Sequence, residues 1–358
     1  MARGPRLAKG APRPRKAIQQ MAPYSPPSAG RAGRLRLDFN ENTVGCSPAV
    51  ARFLRDRVTA EALSIYPEYT EARPALASFF RVAEDQLVLT NGTDEAIQVL
   101  VNTYVNAGDE VVVLSPSYAM YKFYAQVAGA IVKEVRYADP DFAFPLDGVL
   151  QAITPATRAV LLANPNNPTG TGAGLDAIAR ILKRARRAAV LIDEAYFEFS
   201  GVSALSLLDS EPNLFISRTF SKIYGLAAMR MGCLLSRAEN VYYLRKGQSP
   251  YSVNMLAALA AQAALAERAY LEQYVTEVLA ARELMCVELE KMGIRYVPSQ
   301  ANFVLVRFGK RAREIRDRLR EAGILIRDRS YELPGCVRVT VGTREQTRRF
   351  LAELREIW

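Results

Sequence analysis

Histidine is absent from all 358 residues. That absence excludes Ser-His-Asp and Cys-His catalysis, His-ligated zinc, and any imidazole acid or base. Cysteine is sparse: Cys46, Cys233, Cys286 and Cys336 are scattered and form no CxxC pair. Such spacing reads as free thiols in a reducing cytoplasm, not as a disulfide framework. No apolar run approaches the ~18 residues needed to span a bilayer, and no apolar signal core stands at the start. A GxxxxGK(S/T) loop, which would hold a triphosphate, is also missing. Chemistry here must rest on Lys, Tyr, Asp, Glu, Arg or a cofactor.

Carboxylates are missing from the first 37 residues, which carry nine Lys or Arg; Asp38 is the first acid. The net charge of +10 is therefore concentrated in this arm, and the rest of the chain is within one charge of neutral. Proline-rich and poor in large apolar residues, segment 1–36 is expected to be a disordered basic arm. Its prolines spoil the amphipathic helix of a transit peptide, and Met21 is an alternative start. With the basic charge confined to the arm, neither nucleic acid nor membrane is expected as a partner.

Half of the residues are hydrophobic, enough for two cores. From residue 85, short apolar runs alternate with helical stretches. Strands are expected at 86–90, 110–114, 131–136, 159–163, 189–193 and 213–217, with helices at 94–105, 118–129 and 175–186. That alternation predicts an α/β fold with a mostly parallel sheet covered on both faces. Residues 254–292 read as one long helix, followed by strands at 302–306 and 337–341 around a helix ending at Leu319. This pattern predicts a smaller α+β domain. The expected division is an arm 1–36, a segment 37–60 joining the small domain, a large domain 61–260 and a small domain 261–358.

Four clusters carry chemistry. In Thr219-Phe220-Ser221-Lys222, with Arg230 eight residues on, a desolvated amine can form imines while Arg230 and Ser221 hold a phosphate. Lys-x7-Arg alone is common surface decoration. Asp193 ends an apolar strand, where open α/β sheets bind ligands, and a carboxylate there needs a cationic partner. Asn164-Pro-Asn-Asn167-Pro-Thr-Gly170 dictates a tight turn that can present the Asn167 amide. Thr90-Asn91-Gly92-Thr93-Asp94-Glu95 marks a helix N-terminus with Thr93 as its cap, an anion site.

Together these supply a capturing lysine, a carboxylate for a ring nitrogen, donors for a ring oxygen and a phosphate cradle, which is what pyridoxal phosphate demands. Asn40-Glu41-Asn42, Tyr66-Pro67, Asn91 to Glu95, Asn164 to Gly170, Asp193 to Tyr196 and Thr219 to Arg230 resemble fold-type-I aminotransferases. They look most like the histidinol-phosphate aminotransferase branch, and the resemblance runs in order from about Tyr24 to the end. It implies that Lys222 carries the cofactor as a Schiff base and that Asp193 pairs with its pyridine nitrogen. Tyr196 and Asn167 would bond the ring hydroxyl, and Tyr118 would stack on the ring. Thr93, Asp94, Thr219, Ser221 and Arg230 would surround the phosphate. Tyr66 would reach into a partner subunit, making an obligate homodimer. Asn40, Arg327 and Arg338 fall where the family binds substrate. The plain alternative for Arg327 is a surface pair with Asp328.

The sequence departs from the family pattern at Val44, where many relatives carry Tyr or Phe, at Ile223 and at Ala228. The resemblance implies ping-pong transfer from L-histidinol phosphate to 2-oxoglutarate. Runners-up are an aromatic amino acid aminotransferase and a phosphothreonine decarboxylase. From another class, a pyridoxal-phosphate-dependent transcription regulator would need a DNA-binding domain, and residues 1–37 are too short and lack its periodicity. Deleting residues 1–20 is expected to leave turnover and dimerisation unchanged, as read by steady-state assay and size-exclusion chromatography. A large loss of activity in the truncated protein would show that the arm covers the active site.

Overall fold

The computed structural model describes residues 10–23, 30–138 and 140–358. The reading of a disordered arm at 1–9 and 24–29 lies outside these residues. The rest of the arm is built into the protein. A helix at Lys16–Gln19 follows Arg15, whose guanidinium donates to the Val127 carbonyl at 2.8 Å. Strand β1 (Leu35–Leu37) pairs in parallel with a strand nearly 300 residues on, so the boundary expected at residue 36 cuts through a strand. The Leu-Arg-Leu alternation is too short to signal a strand, and only the distant partner makes it one.

The larger sheet contains β2 (Leu87–Thr90), β3 (Glu110–Ser115), β4 (Ile131–Arg136), β5 (Thr157–Ala163), β6 (Ala189–Asp193), β7 (Leu214–Thr219) and β8 (Gly232–Leu235). Their order is β2-β8-β7-β6-β5-β3-β4. All pairings are parallel except those of β8 with β2 and β7, so six strands run one way. β5 and β6 are apolar on both faces because helices cover both. The edge strand β4 instead carries Lys133 and Glu134, charges that discourage edge-to-edge pairing. Four residues without alternation made β8 invisible in the sequence. Gly232 lets it run beside the helix Gly92–Tyr104: a Cβ there would stand 2.8 Å from the Gly92 carbonyl carbon.

The second sheet adds β9 (Arg295–Val297), β10 (Phe303–Arg307), β11 (Ile324–Asp328) and β12 (Cys336–Thr340), in the order β1-β11-β12-β10-β9. The single helix expected over 254–292 is two, Met255–Ala266 and Arg268–Lys291. They break at Glu267 (φ −92°, ψ 44°), whose carboxylate accepts a 2.6 Å bond from Ser47. No Gly or Pro marks this break, so periodicity could not reveal it. The first helix buries Ala257, Ala258, Ala260, Ala261 and Ala264 against the helices Pro48–Arg57 and Ala72–Phe80. Among the described residues, no helix is long and apolar enough to cross a membrane.

Strand alternation sends neighbouring residues to opposite faces. Glu194 and Arg218 thus lie behind Asp193 and Thr219, forming a 2.7 Å pair buried on both sides. Arg218 also stacks 3.3 Å from the Phe197 ring centroid. This rear face borders a cavity of about 1030 Å³ lined by Phe79, Phe197, Glu198, Arg218 and Leu271. Burial pushes the Glu198 carboxyl up to about 8; Arg218 opposes the shift, and Glu194 adds to it. Between the ordinary 4.5 and about 8, the folded protein keeps a proton that the unfolded chain releases. Stability therefore falls as pH rises through that window. Glu198→Gln removes the titration, so its melting temperature should decline less than that of the wild type between about pH 5 and pH 8. Parallel declines in calorimetry would show that Glu198 does not titrate there.

Candidate active site

Beyond the C-terminal ends of β5, β6 and β7, and facing the small sheet, lies a cavity of about 490 Å³. Twelve of the expected residues line it: Thr93, Asp94, Tyr118, Asn167, Asp193, Tyr196, Thr219, Ser221, Lys222, Arg230, Arg327 and Arg338. Asn40 and Tyr66 do not. Among the described residues there is no cluster of groups able to hold a metal ion.

Asp193 sits at the end of β6, buried to 4% exposure. Its Oδ2 accepts from the Tyr121 hydroxyl at 2.7 Å and its Oδ1 from Ser217 at 2.9 Å. Ser217 is its register partner on β7. Burial raises this carboxyl to about 6; the hydroxyl bonds oppose the shift, and Asp94 adds to it. Both recorded side-chain donors are neutral. A buried carboxylate so placed is a seat for a cation supplied from the cavity. Tyr121 and Ser217 escaped the sequence reading. Ser217 was accessible to it, because it stands two residues before Thr219 on the same strand face.

The helix Gly92–Tyr104 begins two residues earlier than the expected start at 94. Asn91 is the cap, and Thr93 lies inside the first turn. The Thr93 hydroxyl is buried without a partner. Gly92 has φ +74°, and a Cβ on it would stand 2.6 Å from the Arg230 guanidinium. Arg230 itself sits at φ 57° and approaches Asp94 at 3.3 Å. The other Asp94 oxygen accepts from Tyr118 at 2.7 Å. The Thr219 hydroxyl accepts from the Ser221 amide at 3.1 Å. A helix N-terminus, an unpartnered hydroxyl and a guanidinium converge here, which suits an anion. The Asp94 carboxylate orients Tyr118 and Arg230, while its backbone N–H belongs to the first helical turn that offers donors to an anion.

Lys222 donates from Nζ to the Phe39 carbonyl at 3.0 Å and lies 5.7 Å from the Tyr196 ring centroid. The Tyr196 hydroxyl accepts from Asn40 at 3.0 Å and from Asn167 at 3.4 Å. Asn40 is fully buried. Its backbone amide donates to Thr340 at 3.0 Å, and its side-chain oxygen accepts from the same hydroxyl at 3.1 Å. Asn40, expected at the substrate, bonds Tyr196 and Thr340 here and adjoins the cavity through Tyr196.

At the opposite end stand arginines. Arg327 and Arg338 are register partners on β11 and β12. Arg338 is buried, bonded to the Asn167 side-chain oxygen at 2.5 Å and to the Asp38 carbonyl at 2.6 Å, and its Nε is unpartnered. Desolvation lowers its guanidinium to about 10, helped by Arg329 and Arg327 and opposed by Tyr196. The alternative pairing of Arg327 with Asp328 does not form, because Asp328 accepts from Arg316 and the Ser330 amide. Arg31, Phe39, Glu41, Arg329 and Tyr331 also line the cavity, unforeseen from sequence.

Tyr66 is 74% exposed, its ring 4.7 Å from that of Tyr251. Among the departures, Val44 is half exposed and outside the cavity, and Ala228 lines it. Ile223 is buried, and its carbonyl accepts from Asn42 at 2.9 Å.

A lysine amine, a buried uncompensated carboxylate, an anion cradle at one end and arginines at the other suit a ring-and-phosphate cofactor together with an anionic substrate. The chain belongs to the family of aminotransferases of class I and II, whose profile matches residues 33–354. It is 34% identical over 363 residues to the histidinol-phosphate aminotransferase of Moorella thermoacetica, covering 97% of this chain and 93% of that one. With histidinol-phosphate aminotransferase 1 of Carboxydothermus hydrogenoformans it shares 36% identity over 346 residues, 96% and 98% of the two chains. The solved histidinol-phosphate aminotransferase of Sinorhizobium meliloti, in complex with pyridoxal-5'-phosphate, matches with a TM-score of 0.86 and 28% identity. That match covers 97% of this chain and 98% of that one.

Asp193→Asn is expected to cut turnover by about two to four orders of magnitude, the scale of ~3–5 kcal/mol for breaking a buried charge pair. Steady-state assay of cofactor-loaded protein checks this. Near-wild-type turnover would mean that Asp193 does not face the cofactor ring.

Proposed function

We propose that the protein is a pyridoxal-phosphate-dependent transaminase that moves the amino group of L-histidinol phosphate to 2-oxoglutarate. The products are imidazole acetol phosphate and L-glutamate, a step of histidine biosynthesis. The observation that carries this reading is the facing pair Arg327 and Arg338 in the cavity that holds Lys222. Histidinol phosphate has no carboxylate, and its terminal phosphate carries up to two charges. Two guanidinium groups match that anion. A substrate needing only one would leave a desolvated arginine unpaired, at a cost.

The residues fit the cofactor. Asp193 lacks the cation that a protonated ring nitrogen provides, and the unpartnered Thr93 hydroxyl with Arg230, Ser221 and Thr219 suits its phosphate. Asn167 and Tyr196 are placed for a ring oxygen, and Tyr118 for a ring face. When bound, the cofactor supplies an electron sink for the pair left behind as the substrate carbon loses its proton. Lys222 is the residue that attaches it and, once freed by substrate, the base and acid that moves the proton. Asp193 keeps the ring nitrogen protonated. Arg327 and Arg338 hold the substrate phosphate.

The reading extends to assembly. Leu63, Ile65, Tyr66 and Tyr251 expose a continuous stretch of apolar and aromatic surface, each more than half exposed. We infer that two copies pair there, with Tyr66 reaching the partner's cavity. Residues 61–260 form the cofactor-binding domain, 37–60 join the small domain of 261–358, and the cytoplasm is the compartment.

Borohydride reduction of the yellow protein should fix the cofactor on Lys222, and peptide mapping that finds another lysine overturns the assignment. Arg327→Ala should raise KM for histidinol phosphate by about tenfold or more while leaving any activity with phenylalanine nearly unchanged. A kcat/KM for phenylalanine or tyrosine above that for histidinol phosphate would favour the aromatic aminotransferase instead.

A further inference from the structure

Arg31 belongs to the basic N-terminal stretch, yet it is turned inward. Its Nε and one terminal nitrogen donate to the two oxygens of Asp38, at 3.1 and 2.9 Å. Its two terminal nitrogens also donate to the two oxygens of Glu41, at 3.1 and 2.7 Å. One guanidinium thus forks onto two carboxylates. Its carbon lies 4.3 Å from the centroid of the Phe39 ring between them.

The clamped segment carries two contacts of the site on its backbone. The Asp38 carbonyl receives Arg338 at 2.6 Å, and the Phe39 carbonyl receives Lys222 Nζ at 3.0 Å. Between these carbonyls and Glu41 the chain turns through Asn40 at φ 56°, a left-handed conformation that costs a non-glycine residue free energy. A four-residue turn of this kind persists only where its surroundings over-determine it. Arg31 ties its two ends.

We propose that Arg31 is a positioning residue of the transaminase site. It holds Asp38–Glu41 in the conformation that presents the Asp38 carbonyl to Arg338 and the Phe39 carbonyl to Lys222. The inference rests on the transaminase reading above. Arg31 and Glu41 also line the cavity, so the clamp neutralises a carboxylate near the substrate's anion. Position and charge are separable, because lysine restores the charge but cannot make the two forks.

The test compares Arg31→Ala, Arg31→Lys and, as a control, Arg34→Ala, a half-buried arm residue whose side chain, among the described residues, bonds the Arg320 carbonyl and lies outside the cavity lining. For each, uptake of pyridoxal phosphate by the cofactor-stripped protein is followed by absorbance. Thermal midpoints and histidinol phosphate kinetics are then measured. Both Arg31 variants are expected to take up cofactor about tenfold more slowly and to lose about tenfold in kcat. KM should rise further in Arg31→Ala than in Arg31→Lys, and Arg34→Ala should match the wild type throughout. If Arg31→Ala fails to fold, Arg31→Lys decides alone. Uptake and kcat of Arg31→Lys within about twofold of wild type overturn the positioning role. Losses that vanish when the variants are assayed well below their thermal midpoints overturn it too. Wild-type protein that fails to take up pyridoxal phosphate removes the transaminase reading itself, so the two failures are told apart.

Discussion

The buried side chain of Asn40 is the tie on which the cavity depends. Its amide nitrogen donates to Tyr196 from the large sheet's side, and its oxygen accepts from Thr340 on the small sheet. Its carbonyl receives Asn302, beside β10. A buried amide left without such partners costs about 1–3 kcal/mol per group, so the two sheets are held in one relation by groups that have nowhere else to bond. The flanking carbonyls of Asp38 and Phe39 then fall where Arg338 and Lys222 reach them. The space between these contacts is the cavity.

Strand alternation divides the charges of β6 and β7 between two environments. Glu194 and Arg218, on the rear, satisfy each other, with Ser203 bonded to both. Asp193, on the front, meets only hydroxyl donors among the side chains that bond it. One strand end thus carries a closed ion pair behind and an open anion before. Only the open one can be completed by a ligand, and burial makes that completion worth more than it would be in water. The chain has no imidazole, and in the proposed reading proton movement falls to the Lys222 amine, beside the ring that the Asp193 carboxylate would keep electron-poor.

The arginine end follows the same logic with the sign reversed. Arg327, Arg329 and Arg338 share one wall of the cavity, and burial, with a smaller effect of the other two, lowers the third. Glu332 compensates Arg329, which leaves Arg327 and Arg338 to favour an anion in the cavity. Position matters as much as charge here, because Arg338 is also held by Asn167 and Asp38 and so presents a fixed face.

What the sequence alone determined is the local part. Apolar runs marked the buried strands, strand ends marked where Asp193, Asn167 and Ser221-Lys222 would emerge, and glycine before an acidic first turn marked a helix start, placed two residues late at 94. Each is set by neighbours within a few residues, through burial period, turn chemistry or capping. The tertiary structure decided what distant residues share. β1 exists only through β11, Arg31 turns inward only because Asp38 and Glu41 meet it, and Tyr121 reaches Asp193 from a helix 72 residues earlier. Asn40 is marked by its motif, and only packing shows that it also ties Tyr196 to Thr340. The helix break at Glu267 likewise depends on Ser47, far away in the chain. Contacts of this kind carry no periodicity, because they are specified by which surfaces meet after the strands have paired.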